Sequence, residues 1–245
     1  MLKKAIVVGA SSGIGAELVR VLVDDGFDVV ALARREQTLK EQFQEVNGKR
    51  ECVFTIAHDV SDTDVVPAVF RQATEILGGL DLLVYVAGVM PRVGPDEWST
   101  EADHFMFQVN TLGAVSWMNE AAPMLVAQGH GTLVAVGSVA GDRGRRGQPG
   151  YCSSKAALHT YMESVRNRVS QHGVCVVTVK PGPVHTPMTK GLEKLPMAIS
   201  ATVAARGISA AIRKRKTNVY VPGQWRLIMT VIRWIPSIVF RRMDI

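Results

Sequence analysis

The sequence contains few cysteines, and their number and spacing argue against both disulfide bonds and a cysteine-ligated metal site. Its 245 residues include three, Cys52, Cys152 and Cys175. They are odd in number and lack the spacing of metal ligands, and disulfides persist mainly in oxidising compartments. We therefore expect reduced thiols in the core of a cytoplasmic protein, with neither disulfides nor a bound metal.

Long Ser, Pro or Gly tracts and internal repeats are also absent, which argues against linkers and low-complexity arms. A hydrophobic content of 47% is enough for an ample core, and the length is compatible with one α/β domain. The short apolar run after Lys4 ends in a glycine cluster, so it is too short for the apolar region of a signal peptide. We expect residues 1–245 to fold as a single domain.

The net charge of +6 is not arranged as in nucleic-acid-binding proteins. Basic residues are spread along the chain, and no aromatic residues are interleaved with them as stacking positions. We therefore expect no nucleic-acid partner. The basic cluster Arg213–Lys216 fits the end of a helix, where cations complement the helix dipole.

Three residues in the middle of the chain, Ser138, Tyr151 and Lys155, can together polarise a carbonyl group and move a proton. Ser138 follows an apolar run, residues 132–136, that predicts a buried strand, and open α/β sheets bind ligands at the carboxyl ends of their strands. Pro149 favours the start of a helix, on which Tyr151 and Lys155 share one face. A phenol titrates near about 10, so a catalytic tyrosine needs a cation nearby. Such pairs also occur on many solvated helices, and a second motif has to support this interpretation.

A glycine-rich turn near the N-terminus supplies that motif. Gly9-Ala-Ser-Ser-Gly-Ile-Gly15 lies between a predicted strand and a predicted amphipathic helix. Gly9 permits a tight turn, Gly13 lets the backbone approach a pyrophosphate, and Gly15 lets the helix pack closely on the strand. The helix N-terminus offers free amides to the phosphates. The turn therefore predicts a dinucleotide site, although its spacing differs from the generic G-x-G-x-x-G.

Apolar strands alternate with amphipathic helices along the whole chain. This alternation predicts a parallel sheet with helices on both faces, and right-handed crossovers make it a doubly wound α/β fold. The predicted strands lie near Ile6, Val29, Phe54, Val84, Val134, Val177 and Val219.

These motifs, with Asp59-Val60 and Pro181-Gly182, resemble the single-domain short-chain dehydrogenase/reductases, and the resemblance covers almost the whole chain. It implies a Rossmann-like sheet of about seven strands in the order 3-2-1-4-5-6-7. It also implies a homodimer or homotetramer built from the helices that carry Asn110 and Tyr151. The catalytic residues it implies are Ser138, Tyr151, Lys155 and Asn110. The predicted cofactor-binding residues are Gly9, Ser11, Ser12, Gly13, Ile14, Gly15, Arg34, Arg35, Asp59, Val60, Ala87, Gly88, Tyr151, Lys155, Pro181, Gly182, Val184 and Thr186.

The resemblance implies hydride transfer between a nicotinamide cofactor and a carbonyl or alcohol carbon. In the reductive direction Tyr151 is then the general acid, and Ser138 hydrogen-bonds the carbonyl oxygen. Lys155 holds the nicotinamide ribose and lowers the tyrosine pKa, and Asn110 positions a water for proton relay. The alternative is a non-catalytic NADP(H)-binding sensor or scaffold of the same fold.

Two positions depart from the pattern of the family. Tyr85-Val-Ala-Gly88 replaces a stretch that begins with asparagine, so we expect the asparagine hydrogen bonds that steady the central sheet to be absent. Gly137 precedes Ser138 where a second serine is common. We expect altered packing or cofactor affinity without loss of the chemistry.

The residues after the second predicted strand favour NADP over NAD. In NAD-preferring proteins an acidic residue about 20 positions past the glycines binds the ribose hydroxyls, but Ala33 takes that place here. Arg34, with Arg35 beside it, can contact the 2′-phosphate. NAD remains the alternative, because Ser12 stands where a second basic residue is common and Glu36 can turn toward the ribose.

Residues 183–200 follow the Pro181-Gly182 turn and correspond to the substrate lid of the family. The lid and the loop after the fourth strand carry apolar residues, which predict a lipophilic ketone or alcohol as substrate. Methionine and leucine at such spacing are also common in protein cores, so packing in the core is the alternative interpretation. The predicted cover consists of Val89, Met90, Val93, Trp98, Met188, Leu192, Leu195, Met197 and Ile199.

The loop between Ser138 and Tyr151 is rich in arginine. Arg143, Arg145 and Arg146 either contact an anionic substrate or carrier or, as we favour, are solvated.

The C-terminal segment, residues 224–242, is predicted to form an apolar and basic helix. From Trp225 onward nearly every residue is apolar, and Arg241 and Arg242 follow. Interspersed charges and Pro236 interrupt the apolar residues, so the uninterrupted apolar run is too short for a transmembrane span. We favour packing over the pocket or a neighbouring subunit. The alternative is a membrane surface, with the tryptophans at headgroup level and the arginines facing anionic lipid.

Overall fold

A computed structural model describes residues 3–47, 51–94, 96–192 and 195–243, in which strands and helices alternate. The strands are β1 (Lys3–Val8), β2 (Phe27–Ala33), β3 (Val53–Ala57), β4 (Leu82–Tyr85), β5 (Gly131–Val136), β6 (Val174–Pro181), β7 (Val184–His185), β8 (Ile199–Ser200) and β9 (Asn218–Val221). The α-helices are α1 (Gly13–Asp24), α2 (Glu36–Asn47), α3 (Val66–Leu77), α4 (Thr100–Phe107), α5 (Gly113–Gln128), α6 (Pro149–Val169), α7 (Ala201–Arg213), α8 (Trp225–Trp234) and α9 (Ser237–Phe240).

Seven of the described strands form one parallel sheet in the order β3-β2-β1-β4-β5-β6-β9. The predicted order 3-2-1-4-5-6-7 is confirmed, with β9 as the seventh strand of the sheet. The short strands β7 and β8 pair with each other outside it. The direction of strand succession reverses between the neighbouring strands β1 and β4, and open α/β sheets form their ligand crevice at such a point.

Helices cover both faces of the sheet, and each face has its own hydrophobic core. Side chains of α1, α2 and α7 fill one core, and those of α3, α5 and α6 fill the other. Strands that are covered on both faces carry continuous apolar runs, and every residue of β5 is buried. All three cysteines are buried as well.

Tyr85 shows what takes the place of the absent asparagine hydrogen bonds. A π-helical turn, Gln108–Leu112, separates α4 from α5. The Tyr85 side chain is fully buried, and its hydroxyl donates to the Val109 carbonyl at 2.5 Å. A Cβ atom on Gly113 would lie 2.5 Å from that hydroxyl oxygen. Tyrosine at position 85 and glycine at position 113 therefore form a fitted pair that ties β4 to the π-helical turn.

The C-terminal segment differs from the single helix predicted over residues 224–242. Helix α8 ends at Trp234, Ile235 is extended, and α9 begins at Ser237. Pro236 explains the break, because proline lacks an amide hydrogen and disfavours helical geometry in the residue before it. No described helix is long and apolar enough to cross a membrane.

The two tryptophans of this segment lie in different environments. Trp225 is only 7% exposed and packs with Val139 and Met229, so its expected place at headgroup level under the membrane alternative is wrong. Trp234 is 83% exposed.

Candidate active site

A cavity of about 310 Å³ opens at the carboxyl ends of the strands, where the strand order reverses. The turn after β1, the ends of β2 and β3, the segments after β4 and β5, the first turn of α6 and the turn after β6 form its wall. The predicted site residues on this wall are Gly9, Ser11, Ser12, Gly13, Ile14, Gly15, Arg34, Arg35, Asp59, Val60, Ala87, Gly88, Ser138, Tyr151, Lys155, Pro181, Gly182, Val184 and Thr186. Of the predicted set, Asn110 alone lies behind the wall.

The glycine turn needs glycine for both conformation and space. Gly9 and Gly13 have φ values of +99° and +55°, in the left-handed region that favours glycine. A Cβ atom on Gly9 would lie 2.5 Å from the Ala87 nitrogen, and one on Gly15 would lie 2.1 Å from the Gly9 oxygen. Ser12 precedes α1 without a side-chain capping bond. The first amides of α1 are therefore available to an anion, which the helix dipole also favours.

Charged residues lie where the cavity wall reaches the ends of β2 and β3. Arg34 and Arg35 are exposed there. The Glu36 carboxylate forms an ion pair with the Lys40 ammonium group on α2, at a distance of 2.7 Å. Burial opposes ionisation of Asp59, but hydrogen bonds from Ser61 and the charge of Arg34 lower the pKa of Asp59 overall. The result is a basic rim beside one ionised carboxylate.

Ser138, Tyr151 and Lys155 meet on one side of the cavity. Ser138 lies just beyond β5, and α6 begins at Pro149, so Tyr151 and Lys155 occupy the same face of its first turns. The Lys155 side chain is buried, and its Nζ donates to the Val136 carbonyl at 3.0 Å. Burial lowers the pKa of Lys155 to about 8, which leaves it a cation at neutral pH.

Burial raises the pKa of Tyr151, and the hydrogen bond with Ser138 and the charge of Arg145 only partly offset this effect. The expected lowering of the tyrosine pKa by Lys155 is therefore wrong for this structure. The lysine Nζ lies 5.9 Å from the centre of the Tyr151 ring and bonds to the backbone instead. The phenol is consequently protonated at neutral pH, which is the form that can donate a proton.

Asn110 connects two parts of the cavity wall from behind. It is fully buried in the π-helical turn. Its Oδ1 accepts from the Val89 amide at 2.8 Å, and its Nδ2 donates to the Val89 carbonyl and to Ser154 Oγ, each at 3.0 Å. Both amide hydrogens are thus engaged. A relay water could therefore meet this amide only as a donor to the second lone pair of Oδ1.

The predicted lid contributes less to the wall than its apolar content suggested. Pairing of β7 with β8 joins its two ends, and Thr189 accepts from the Thr186 amide to close a tight turn. Residues 193 and 194 lie outside the described residues. Of the predicted apolar cover, only Val89 and Met188 line the cavity. Leu192 and Met197 are exposed, and Trp98 is 90% exposed.

Sequence reasoning missed several lining residues, among them His58, Phe105, Val109 and Val136. His58 precedes the predicted Asp59-Val60 contact, which was an available signal. Burial lowers the pKa of His58, and its Nε2 accepts from the Trp117 indole at 3.2 Å. Val136 ends the predicted strand before Ser138, which was a local signal, whereas Phe105 reaches the wall through tertiary packing and carries none.

A buried polar cluster behind Ser138 was also missed. The Asp142 side chain is 2% exposed and accepts from Lys180 Nζ and from the Tyr220 hydroxyl, each at 2.6 Å. His159 Nδ1 lies 3.6 Å from the same carboxylate, and its Nε2 accepts from the Ser138 amide at 3.4 Å. Burial is the main reason that the pKa of His159 falls to about 3. The Ser138 amide therefore donates its hydrogen bond to a neutral histidine.

The doubly wound sheet and the glycine-lined cavity at its switch point define a nucleotide-binding α/β domain. Comparison with known proteins identifies the family. The family model described as short chain dehydrogenase matches residues 3–195, and the chain belongs to this family of oxidoreductases. Both the predicted family and the prediction of an enzyme are thereby confirmed.

Individual relatives agree with this assignment. The chain is 31% identical over 188 residues to an uncharacterized oxidoreductase of Staphylococcus saprophyticus, covering 76% of this chain and 80% of the relative. It is 30% identical over 199 residues to a 3-oxoacyl-[acyl-carrier-protein] reductase of Staphylococcus aureus, covering 79% of each. A crystal structure of a short chain dehydrogenase from Burkholderia cenocepacia in complex with NADP superposes with a TM-score of 0.84 at 25% identity, covering 98% of this chain and 96% of the other.

Proposed function

We propose that the protein is an NADP(H)-dependent oxidoreductase that interconverts a carbonyl group and a secondary alcohol. The observation that carries this proposal is the arrangement of Ser138, Tyr151 and Lys155 in the same cavity as the glycine turn. A proton donor, a hydrogen-bond donor and a cation thus adjoin a site fitted for a dinucleotide.

Three features of the cavity support NADP(H) as the cofactor. Gly9 and Gly13 place no side chain of their own at the start of α1, where a pyrophosphate would bind. Arg34 and Arg35 offer guanidinium groups to a 2′-phosphate. Glu36, the residue that could serve a ribose hydroxyl, is paired with Lys40. When bound, the nicotinamide supplies or accepts the hydride.

The residues of this chain would handle the proton. In the reductive direction, Tyr151 donates its phenolic proton to the oxygen of the substrate, which the Ser138 hydroxyl also hydrogen-bonds. Lys155 is charged below its pKa of about 8 and lies on the same wall, where it would hold the nicotinamide ribose. Asn110 would act indirectly, because its side chain hydrogen-bonds the Val89 backbone and Ser154 and so fixes their positions.

Apolar lining supports a lipophilic substrate. Val89, Phe105, Val109 and Met188 lie on the cavity wall and present carbon surface to the substrate end. The Staphylococcus aureus relative is named for a 3-oxoacyl substrate on a carrier protein, so acyl thioesters join simple ketones as candidates.

We further propose a homodimer or homotetramer formed through the helices around Asn110 and Tyr151, and a cytoplasmic location. Leu112, two residues from Asn110, is 48% exposed, which supports the first proposal. Three buried thiols support the second. Sedimentation velocity of the wild type and of Leu112→Glu tests the subunit contact, since the charge would release monomers.

The test of the activity follows NADPH oxidation spectrophotometrically against aliphatic, aromatic, steroidal and acyl-thioester ketones. We expect turnover that is lost in Tyr151→Phe and retained in Tyr161→Phe, whose hydroxyl contacts Asn119 away from the cavity. NADH in parallel measures the cofactor preference. Tight NADPH binding without turnover across the panel would favour the alternative, a sensor or scaffold.

A further inference from the structure

Helices α8 and α9 carry an apolar ridge that no part of the described chain covers. We call Leu227, Val231, Trp234 and Ile238 the tail ridge, and they are 71%, 64%, 83% and 59% exposed. The first three are spaced four and three residues apart, so they share one face of α8. One helix face therefore presents large apolar side chains in a row to the surroundings.

Positive charge flanks the tail ridge. Arg226, Arg241 and Arg242 are exposed beside it, and the sequence contains no Asp or Glu from residue 222 to residue 243. An occupant of this surface has to accept apolar side chains together with cations that no acidic residue between 222 and 243 compensates.

The opposite face of the tail is fixed to the protein. Trp225 and Met229 pack on Val139, just after Ser138. Arg143 donates to the Ile232 carbonyl and stacks on the Phe240 ring, with its guanidinium carbon 3.9 Å from the ring centre. The tail ridge is thus presented by anchored helices, and Arg143 is not the solvated residue that the sequence favoured.

We propose that the tail ridge docks on the surface of an anionic lipid bilayer. The interface of such a bilayer accepts apolar side chains at the boundary between headgroups and acyl chains, and its phosphates attract arginine. Exposed tryptophan suits this boundary because its ring is amphipathic.

Charge argues against a second copy of the chain as the occupant. A two-fold contact places the same surface of both copies face to face. It would bring the arginines of both copies together in a partly desolvated interface to which residues 222–243 contribute no carboxylate, which is unfavourable. Anionic lipid removes this repulsion.

Co-sedimentation of the full-length protein with vesicles tests the proposal. We compare phosphatidylcholine vesicles with vesicles that also contain phosphatidylglycerol, and expect binding that depends on phosphatidylglycerol and weakens with salt. The double variant Leu227→Ser/Trp234→Ser should bind about tenfold more weakly or worse, since each exposed side chain loses apolar burial. Arg241→Gln/Arg242→Gln should lose about fivefold for each arginine.

Matched controls separate the tail ridge from general electrostatics. Lys214→Gln/Lys216→Gln removes the same charge from exposed positions after α7 and should leave binding unchanged. Thermal unfolding of each variant checks its folding. Because no substrate is needed, the result is independent of the proposed oxidoreductase activity.

Two results would overturn the proposal. One is vesicle binding that does not require phosphatidylglycerol, or that falls as much in Lys214→Gln/Lys216→Gln as in Arg241→Gln/Arg242→Gln. The other is dissociation of an oligomer by Leu227→Ser/Trp234→Ser in sedimentation velocity, which would make the ridge a subunit contact.

Discussion

Replacement of Tyr85 by phenylalanine tests the link between β4 and the π-helical turn. The variant keeps the ring and removes only the hydroxyl that donates to the Val109 carbonyl at 2.5 Å. Burial raises the pKa of Tyr85 far above its ordinary value, so the hydroxyl is protonated and donates throughout the accessible pH range. Val109 is 4% exposed, and water cannot readily replace the lost donor.

The expected cost follows from the buried carbonyl. Loss of one partner of a buried hydrogen bond typically costs about 1–3 kcal/mol. For a domain of this size the melting temperature falls by about 2–4 °C for each kcal/mol. We expect the midpoint of urea unfolding, followed by circular dichroism, to fall with little change in its slope.

Tyr161→Phe is the matched control, because its hydroxyl bonds to the exposed Asn119 at 2.9 Å and should contribute about 1 kcal/mol or less. A second readout is NADPH affinity, which should weaken in Tyr85→Phe because Val109 lines the cavity and adjoins Asn110. If Tyr85→Phe unfolds at the same urea concentration as Tyr161→Phe, the buried bond has no special weight and the reasoning fails.

Two further predictions concern the cofactor and acid stability. Arg34→Ala should weaken NADPH binding about tenfold while NADH binding changes little, since a charge-assisted contact with the 2′-phosphate is lost; fluorescence titration with both nucleotides checks this, and equal losses would contradict it. His159 remains neutral in the folded protein down to its pKa of about 3, but in the unfolded chain it protonates near about 6.5. The unfolded state therefore binds more protons as the pH falls through this window, and stability declines by up to about 1.4 kcal/mol per pH unit. Urea titrations at several pH values should show a shallower decline for His159→Asn, and parallel curves for the two proteins would refute it.

Much of the fold could be predicted from the sequence because the signals are local. Strand positions follow from apolar runs, and Gly9, Gly13 and Gly15 mark a turn whose chemistry requires their spacing. The placement of Tyr151 and Lys155 on one helix face follows from the four-residue separation. Ser138 required only the end of a predicted strand.

Other features depend on packing that no local pattern encodes. The four members of the Asp142 cluster come from a 3₁₀ turn after β5, from α6, from β6 and from β9, so only the folded sheet brings them together. The raised pKa of Tyr151 results from burial, which a spacing rule for Tyr and Lys does not include. The break at Pro236 was accessible to a sequence rule, but the burial of Trp225 beside an exposed Trp234 was not.

Arg143 makes the C-terminal segment part of the energetics of the catalytic loop. The residue lies between Ser138 and Tyr151 in the chain, while its guanidinium group holds the Ile232 carbonyl and the Phe240 ring. Coupling free energies are reciprocal. If packing of the tail orders this loop and thereby strengthens ligand binding in the cavity, the bound ligand stabilises the packed tail by the same free energy. Protection of the tail from proteolysis can therefore report on ligand binding at the nucleotide site.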